Sequence, residues 1–188
     1  MIAYFTASVV GKKHLLSKYH AILSILHKRG ITPIADHILN VEEKDIHLQT
    51  KEKRLHFHKQ LEDWINSCDF MIAETSFPSI SVGYEISMAL DRNKPILLLY
   101  STGDPPSLFA YHENQKIVCE KYTESTLDAI ISDFLNFIRN TEDARFTFYL
   151  TSIQAKHLDT QGKKQHIPKS VYLRRLIDND INMHHHDA

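Results

Sequence analysis

Apolar positions along the chain follow two rhythms that take turns. Residues 2–7, Ile-Ala-Tyr-Phe-Thr-Ala, form a short β-favouring run that ends at Ser8, Gly11 and two lysines. Over residues 13–28, Leu15, Leu16, Tyr19, Ile22, Leu23 and Leu26 recur at helical spacing, and Arg29-Gly30 reads as a basic last turn with a glycine C-cap. A second strand is expected at 31–34, followed by Asp36 and His37, and a second helix at 50–67 with Leu55, Leu61, Trp64 and Ile65 turned inward. Residues 68–90 organise the rest: an apolar strand at 70–73, a Thr/Ser/Pro/Ser loop, then a helix whose first turns carry Gly83, Tyr84 and Glu85. The run 95–100 is almost unbroken in its apolarity, the mark of a strand covered on both faces. A fifth strand at 116–119 and an amphipathic helix at 126–138 complete the alternation. Five strands alternating with helices predict an α/β fold with a five-stranded parallel, doubly wound sheet of the flavodoxin or Rossmann kind.

The rhythm breaks at the polar connector 139–144, which suggests one domain over 1–139 and a separate tail over 140–188. Residues 145–150 alternate strictly, with Phe146, Phe148 and Leu150 on one face and Arg145, Thr147 and Tyr149 on the other. A helix at 152–165 and a second carrying Val171, Leu173, Leu176 and Ile177 follow. Such a β-α-α appendage buries too little surface alone, so it is expected to pair with a copy of itself or to dock on the main domain.

Composition narrows the partners. The chain of 188 residues has room for one full core and a small appendage. With 22 basic against 23 acidic side chains and a formal net charge of −1, bulk charge argues for neither nucleic acid nor a membrane surface. The first residues run straight into strand-like sequence, and no apolar run approaches bilayer length, so a cytoplasmic chain without a membrane partner is expected. Cys68 and Cys119 sit at strand edges and fit no metal spacing, which suits buried thiols in a reducing compartment. His56 and His58 face different sides of a helix, and His14, His20 and His27 read as solvated. Adjacent His184, His185 and His186 cannot all face one ion from a regular helix. No metal and no cofactor is therefore expected.

Strand, polar loop and helix in that order place Glu85 at the carboxyl end of a parallel strand, where open α/β sheets form ligand crevices. Glu85 is the leading catalytic candidate. Ser8 and Ser79, each just ahead of a helix, suit either an N-cap or the anion site of a helix N-terminus.

Two motifs carry a resemblance. Tyr4-Phe5-Thr6-Ala7-Ser8-Val9-Val10-Gly11, together with 69–85 and its Ser79, Gly83, Tyr84 and Glu85, resembles the nucleoside 2-deoxyribosyltransferase family over residues 1–139, nearest its 2′-deoxynucleoside 5′-monophosphate N-glycosidase branch. The resemblance implies an enzyme, an N-glycosidase or deoxyribosyltransferase acting on a (deoxy)nucleoside or its 5′-monophosphate, with Glu85 as the nucleophile that traps an oxocarbenium-like C1′. Tyr4 would orient Glu85. Ser8, Gly11, Ser79 and Gly83 would hold substrate, chiefly the phosphate, and Ser107 matches a serine that the family lends to a neighbouring subunit, which implies a dimer or a dimer of dimers. Three positions depart from the pattern: Val10 stands for the phosphate-loop arginine, Leu61 for a second catalytic aspartate, and Ser81 for the first glycine of Gly-Val-Gly. Lys12 or Lys13 is the available point charge for the phosphate. His58, one turn before Leu61 on the same face, is the better-aimed polar group, with Asp36 and His37 as further candidates for substrate contact.

The tail resembles a ribbon-helix-helix module through its alternating strand and the Pro-Lys-Ser-Val-Tyr-Leu-Arg-Arg-Leu-Ile segment. That resemblance implies strands paired between two chains, with Arg145, Thr147 and Tyr149 toward DNA bases and Lys169 and Ser170 toward phosphate. The same architecture serves equally as a dimerisation device. The alternative to an enzyme is thus a nucleotide-sensing protein of weak activity whose tail binds DNA.

Overall fold

A computed structural model of the chain describes residues 1–47, 50–110, 114, 116–139, 150–165 and 167–184. Strands β1 (Ile2–Ala7), β2 (Thr32–Ile34), β3 (Phe70–Glu74), β4 (Ile96–Tyr100) and β5 (Ile117–Lys121) pair in the order β2-β1-β3-β4-β5. Every pairing is parallel, with Tyr4 opposite Met71 and Ala7 opposite Glu74 between β1 and β3. The expected five-stranded parallel sheet is present. Its chain reverses direction between β1 and β3, so the crevice of such a sheet opens above those two strands.

The helices are α1 (Lys12–Lys28), α2 (Asp36–Leu39), α3 (Glu43–His47), α4 (Lys51–Ser67), α5 (Ile80–Asp91), α6 (Ser107–Ala110), α7 (Leu127–Arg139), α8 (Ser152–Gln165) and α9 (Lys169–His184). Their ends follow local chemistry. Gly30 turns to φ +69°, which lets the Gly30 amide reach His27 O and the Ile31 amide reach Leu26 O, both at 3.0 Å, closing α1. Thr50 Oγ1 accepts from the Lys53 amide at 3.3 Å to open α4, and Ser79 Oγ accepts from the Val82 amide at 3.4 Å to open α5.

Alternate residues of the strands face opposite layers. Tyr4, Met71, Ala73, Ile96 and Leu98 pack with Leu61 and Ile65 of α4 and with Val82, Ile86 and Ala89 of α5. On the other face Phe5 meets Tyr19 of α1 edge-on, ring centroids 5.8 Å apart. Leu55 corrects the expected inward face of α4: it is 62% exposed, because six residues from Leu61 place it about 120° off the buried stripe. The short helices α2, α3 and α6 have four or five residues, too few for a period to show in sequence.

By contact the chain groups into two units, Met1–Lys121 and Tyr122–Ala188. The second unit holds α7 together with the tail helices. Within it, a Cβ on Gly162 would lie 2.9 Å from Ile167 O, so only glycine lets the α8–α9 connection come this close. Lys169 pairs with Asp159 at 2.8 Å, and Arg174 of α9 pairs with Asp133 of α7. α9 runs to His184. The expected strand at 145–150, with Arg145, Thr147 and Tyr149, lies outside the described residues except for Leu150.

Candidate active site

Glu85 lies in the second turn of α5, and only 5% of its surface is exposed. β1 supplies its neighbours from the facing side: Tyr4 Oη donates to Glu85 Oε2 at 3.0 Å. Burial pushes the Glu85 carboxyl up to about 6, opposed by the hydroxyls of Thr6 and Tyr4, which favour the charged form. The Thr6 hydroxyl is buried and has no hydrogen-bond partner of good geometry, so its influence on the carboxylate is that of a nearby dipole. Tyr4 itself is driven far above the usual phenol range, first by burial and then by the Glu85 charge, and stays a donor at any physiological pH.

The carboxylate is not sealed in. A cleft of about 390 Å³ opens beside it, lined by Arg54, Phe57, His58 and Leu61 of α4 and by Ile80, Ser81, Tyr84 and Glu85 of α5. That volume suits a small organic ligand. Leu61 and His58 share the α4 wall, and His58 Nε2 lies 2.7 Å from Tyr84 Oη. A smaller cleft of about 90 Å³ lies past the start of α5, lined by residues that include Phe77, Ser79, Gly83 and Pro106.

His37 enters from α2. It stacks on Tyr4 with ring centroids 4.9 Å apart and planes 17° from parallel, and leans on Trp64 at 5.1 Å and Phe57 at 6.5 Å. Burial pushes its imidazole down to about 4, and neither ring nitrogen has a hydrogen-bond partner. At neutral pH the ring is uncharged, with one donor and one acceptor nitrogen. Asp36, its neighbour in sequence, is exposed at the start of α2.

The loops after β1 and β3 meet. Ser8 is buried, its Oγ accepts from the Gly11 amide at 3.1 Å, and its carbonyl accepts from Tyr19 Oη at 3.1 Å. Gly11 caps α1, and a Cβ there would stand 2.6 Å from Phe77 Cβ. Gly83 has open space where a Cβ would be. Lys12 is committed elsewhere: Nζ donates to the carbonyls of Ile38 at 3.1 Å, Leu39 at 2.9 Å and Val41, capping the end of α2. It therefore does not serve as a free point charge in place of the arginine missing at Val10. Lys13 is exposed.

The structure thus brings Glu85, Tyr4 and His58 together, sets His37 against Tyr4, and leaves Asp36 on the surface. Ser107 begins α6, and its side chain lies outside what is described. Lys169 is held by Asp159, and Ser170 is half-buried on α9. Sequence reasoning missed Thr6, Arg54 and Phe57 and saw no partner for Tyr84. The signals were available: Thr6 shares the face of Tyr4 two residues on, and Arg54, Phe57, His58 and Leu61 repeat at three- and four-residue spacing. Among the described residues no group of three or more His, Cys, Asp or Glu side chains is placed to hold a metal, and no helix is long and apolar enough to cross a membrane.

Comparison with known proteins gives consistent matches. The family described as nucleoside 2-deoxyribosyltransferase matches residues 3–141. A putative 2′-deoxynucleoside 5′-phosphate N-hydrolase 1 from Syntrophotalea carbinolica is 34% identical over 137 residues, covering 72% of this chain and 94% of that protein. The 5-hydroxymethyl-dUMP N-hydrolase of Tetraodon nigroviridis is 25% identical over 140 residues, covering 72% and 98%. Among solved structures, a CMP N-glycosidase from Clostridium botulinum superposes with a TM-score of 0.53 at 17% identity, over 71% of this chain and 99% of its own, which is a likeness of fold.

Proposed function

Since the chain belongs to the nucleoside 2-deoxyribosyltransferase family, we propose that it is an N-glycosidase that hydrolyses the glycosidic bond of a 2′-deoxynucleoside 5′-monophosphate, with Glu85 as nucleophile. One observation carries this reading: a buried carboxylate pinned by a tyrosine hydroxyl at the edge of a ligand-sized cleft between α4 and α5. A cation developing at C1′ is captured there as an ester, and water then releases the sugar. Tyr4 aims the carboxylate and holds it in its charged form. The phosphate would lie at the start of α5, where Ser79 and Gly83 line the smaller cleft and Gly83 leaves open space, while the Ser8 hydroxyl and the Gly11 amide, bonded to each other, would shape the loop beneath it. His37, buried behind Tyr4 and Trp64, would act by bracing the Tyr4 ring. Relatives of this chain are named as N-hydrolases of nucleoside 5′-monophosphates, which favours water over a second base as acceptor.

The test is a panel of nucleosides and their 5′-monophosphates assayed for free base. The wild type is expected to release base from at least one monophosphate, and Glu85→Gln from none. Absence of turnover across the panel would remove the enzymatic reading.

A second reading, a nucleotide sensor that turns nothing over, is favoured by Leu61 in the cleft wall and by the committed Lys12. Its DNA-binding half rests on the tail resemblance. Salt-dependent retention of a duplex, lost on Arg145→Ala, would support it, and no retention at low salt would end it. For either reading we infer a homo-oligomer in which Ser107 serves the neighbouring protomer, so light scattering that returns a monomer would overturn that assignment.

A further inference from the structure

A string of polar groups crosses from the end of α5 to the cleft, and the mechanism above does not use it. Arg92 Nη2 lies 3.4 Å from Glu62 Oε1, Glu62 Oε2 lies 4.0 Å from His58 Nδ1, and His58 Nε2 lies 2.7 Å from Tyr84 Oη. His58 and Tyr84 line the same cleft as Glu85. Tyr84 is the residue before Glu85, so along the helix the two side chains point about 100° apart. Glu85 turns down toward β1 and Tyr84 across toward α4.

We propose that the Glu62–His58–Tyr84 string supplies the proton taken up by the departing base, with Tyr84 Oη as the delivering atom. The proposal rests on the reading of Glu85 as nucleophile. When the C1′–N bond breaks, its electron pair stays on the base, while a Glu85 oxygen forms the new bond to C1′. A base leaves readily only if that pair is met by a proton from a donor across the cleft from the nucleophile. Leu61, on the α4 wall, has no proton to give. The His58 imidazole stands one turn away on the same wall. Protonated His58 donates from Nε2 to Tyr84 Oη as Tyr84 gives its own proton to the base, so the phenol ends unchanged and His58 ends neutral. Water attacking the C1′ ester then sheds a proton, which returns His58 to its starting form. Glu62 steadies the imidazolium, and Arg92 holds Glu62 in place. Of the other charged groups at this wall, Arg54 lines the cleft from α4 and Glu85 from α5.

A comparison of leaving groups tests the assignment. The monophosphate that the wild type turns over best needs its base protonated, whereas 4-nitrophenyl 2-deoxyribofuranoside 5-phosphate departs as a stable phenolate and needs no acid. Tyr84→Phe and His58→Gln are each expected to slow the nucleotide about 100-fold and the nitrophenyl substrate less than about threefold. The double variant should be no slower than either single one, and Glu62→Gln should follow the same pattern more weakly. Equal losses on both substrates, or no loss on the nucleotide, would overturn the relay. Glu85→Gln separates the two claims: if it leaves the nitrophenyl reaction intact, the nucleophile assignment fails, whatever the relay variants do.

Discussion

Glu74 closes β3 and Glu85 sits on the helix that follows, and both are buried, yet the regions around them differ in kind. Glu74 faces the α1 side of the sheet, in line with Ile72 and Phe5. Ser76 Oγ donates to Glu74 Oε1, Ser76 Oγ lies 3.0 Å from Ser101 Oγ, and Lys18 Nζ donates to Ser101 Oγ at 2.6 Å. After burial itself, the Glu74 charge is what drives the Tyr19 hydroxyl upward. This carboxylate fastens the loops after β3 and β4 and lines neither of the clefts beside α5. Glu85 has a phenol on one oxygen and open volume beside it. Burial is common to the two, and the cleft beside Glu85 is what separates them.

The largest effect that would break or sharpen this contrast comes from removing each charge in turn. Glu85→Gln is expected to lower turnover by roughly 10⁴-fold, and yet to raise stability at pH 8. Folding lifts the Glu85 carboxyl from 4.5 to about 6. Its favourable contribution is therefore complete below pH 4.5 and lost as pH rises through 6, a difference of up to about 2 kcal/mol. Glutamine, uncharged throughout, keeps that stability, so urea midpoints for variant and wild type should converge at pH 4 and separate at pH 8. Glu74→Gln should instead lose stability at pH 8, through its loop network. A Glu85→Gln protein less stable than wild type at pH 8 would erase the contrast.

Next in size is the seam between the loops after β1 and β3. Gly11→Ala drives a methyl into Phe77, with approaches of 2.6 and 2.8 Å, and should cost about 1–3 kcal/mol. Gly83→Ala, in open space within α5, should gain up to about 1 kcal/mol. Thermal melts of the pair check both signs. Tyr4→Phe removes a hydroxyl that favours the charged carboxylate, so the acid limb of kcat/KM should move above pH 6, with a loss of about tenfold at neutral pH. The smallest effect belongs to Ser79→Ala, which removes the α5 cap at about 1 kcal/mol. If Ser79 also holds phosphate, KM should rise for the monophosphate and not for the nucleoside.

Much of the fold was legible in the chain because its signals are local. The α4 cap at Thr50, the glycine closing α1 and the unbroken apolarity of β4 each lie within a few residues of what they specify. Glu85 was legible as a candidate for the same reason, since strand, loop and helix follow one another directly. The reading failed where length or angle decided. Leu55 is apolar and near the helical stripe but about 120° off it, and α2 is too short to show a period although it delivers His37 to Tyr4.

The sequence by itself determined the parallel sheet and the position of Glu85 at its carboxyl edge, because side-chain period and helix capping act over one or two turns. Only the tertiary structure decided what surrounds that carboxylate. Tyr4 and Glu85 are 81 positions apart, His58 and Tyr84 are 26 apart, and Lys12 spends its charge on α2 carbonyls at least 26 residues away. Convergence of that kind depends on how β1, α2, α4 and α5 pack on one another, and no local pattern encodes it.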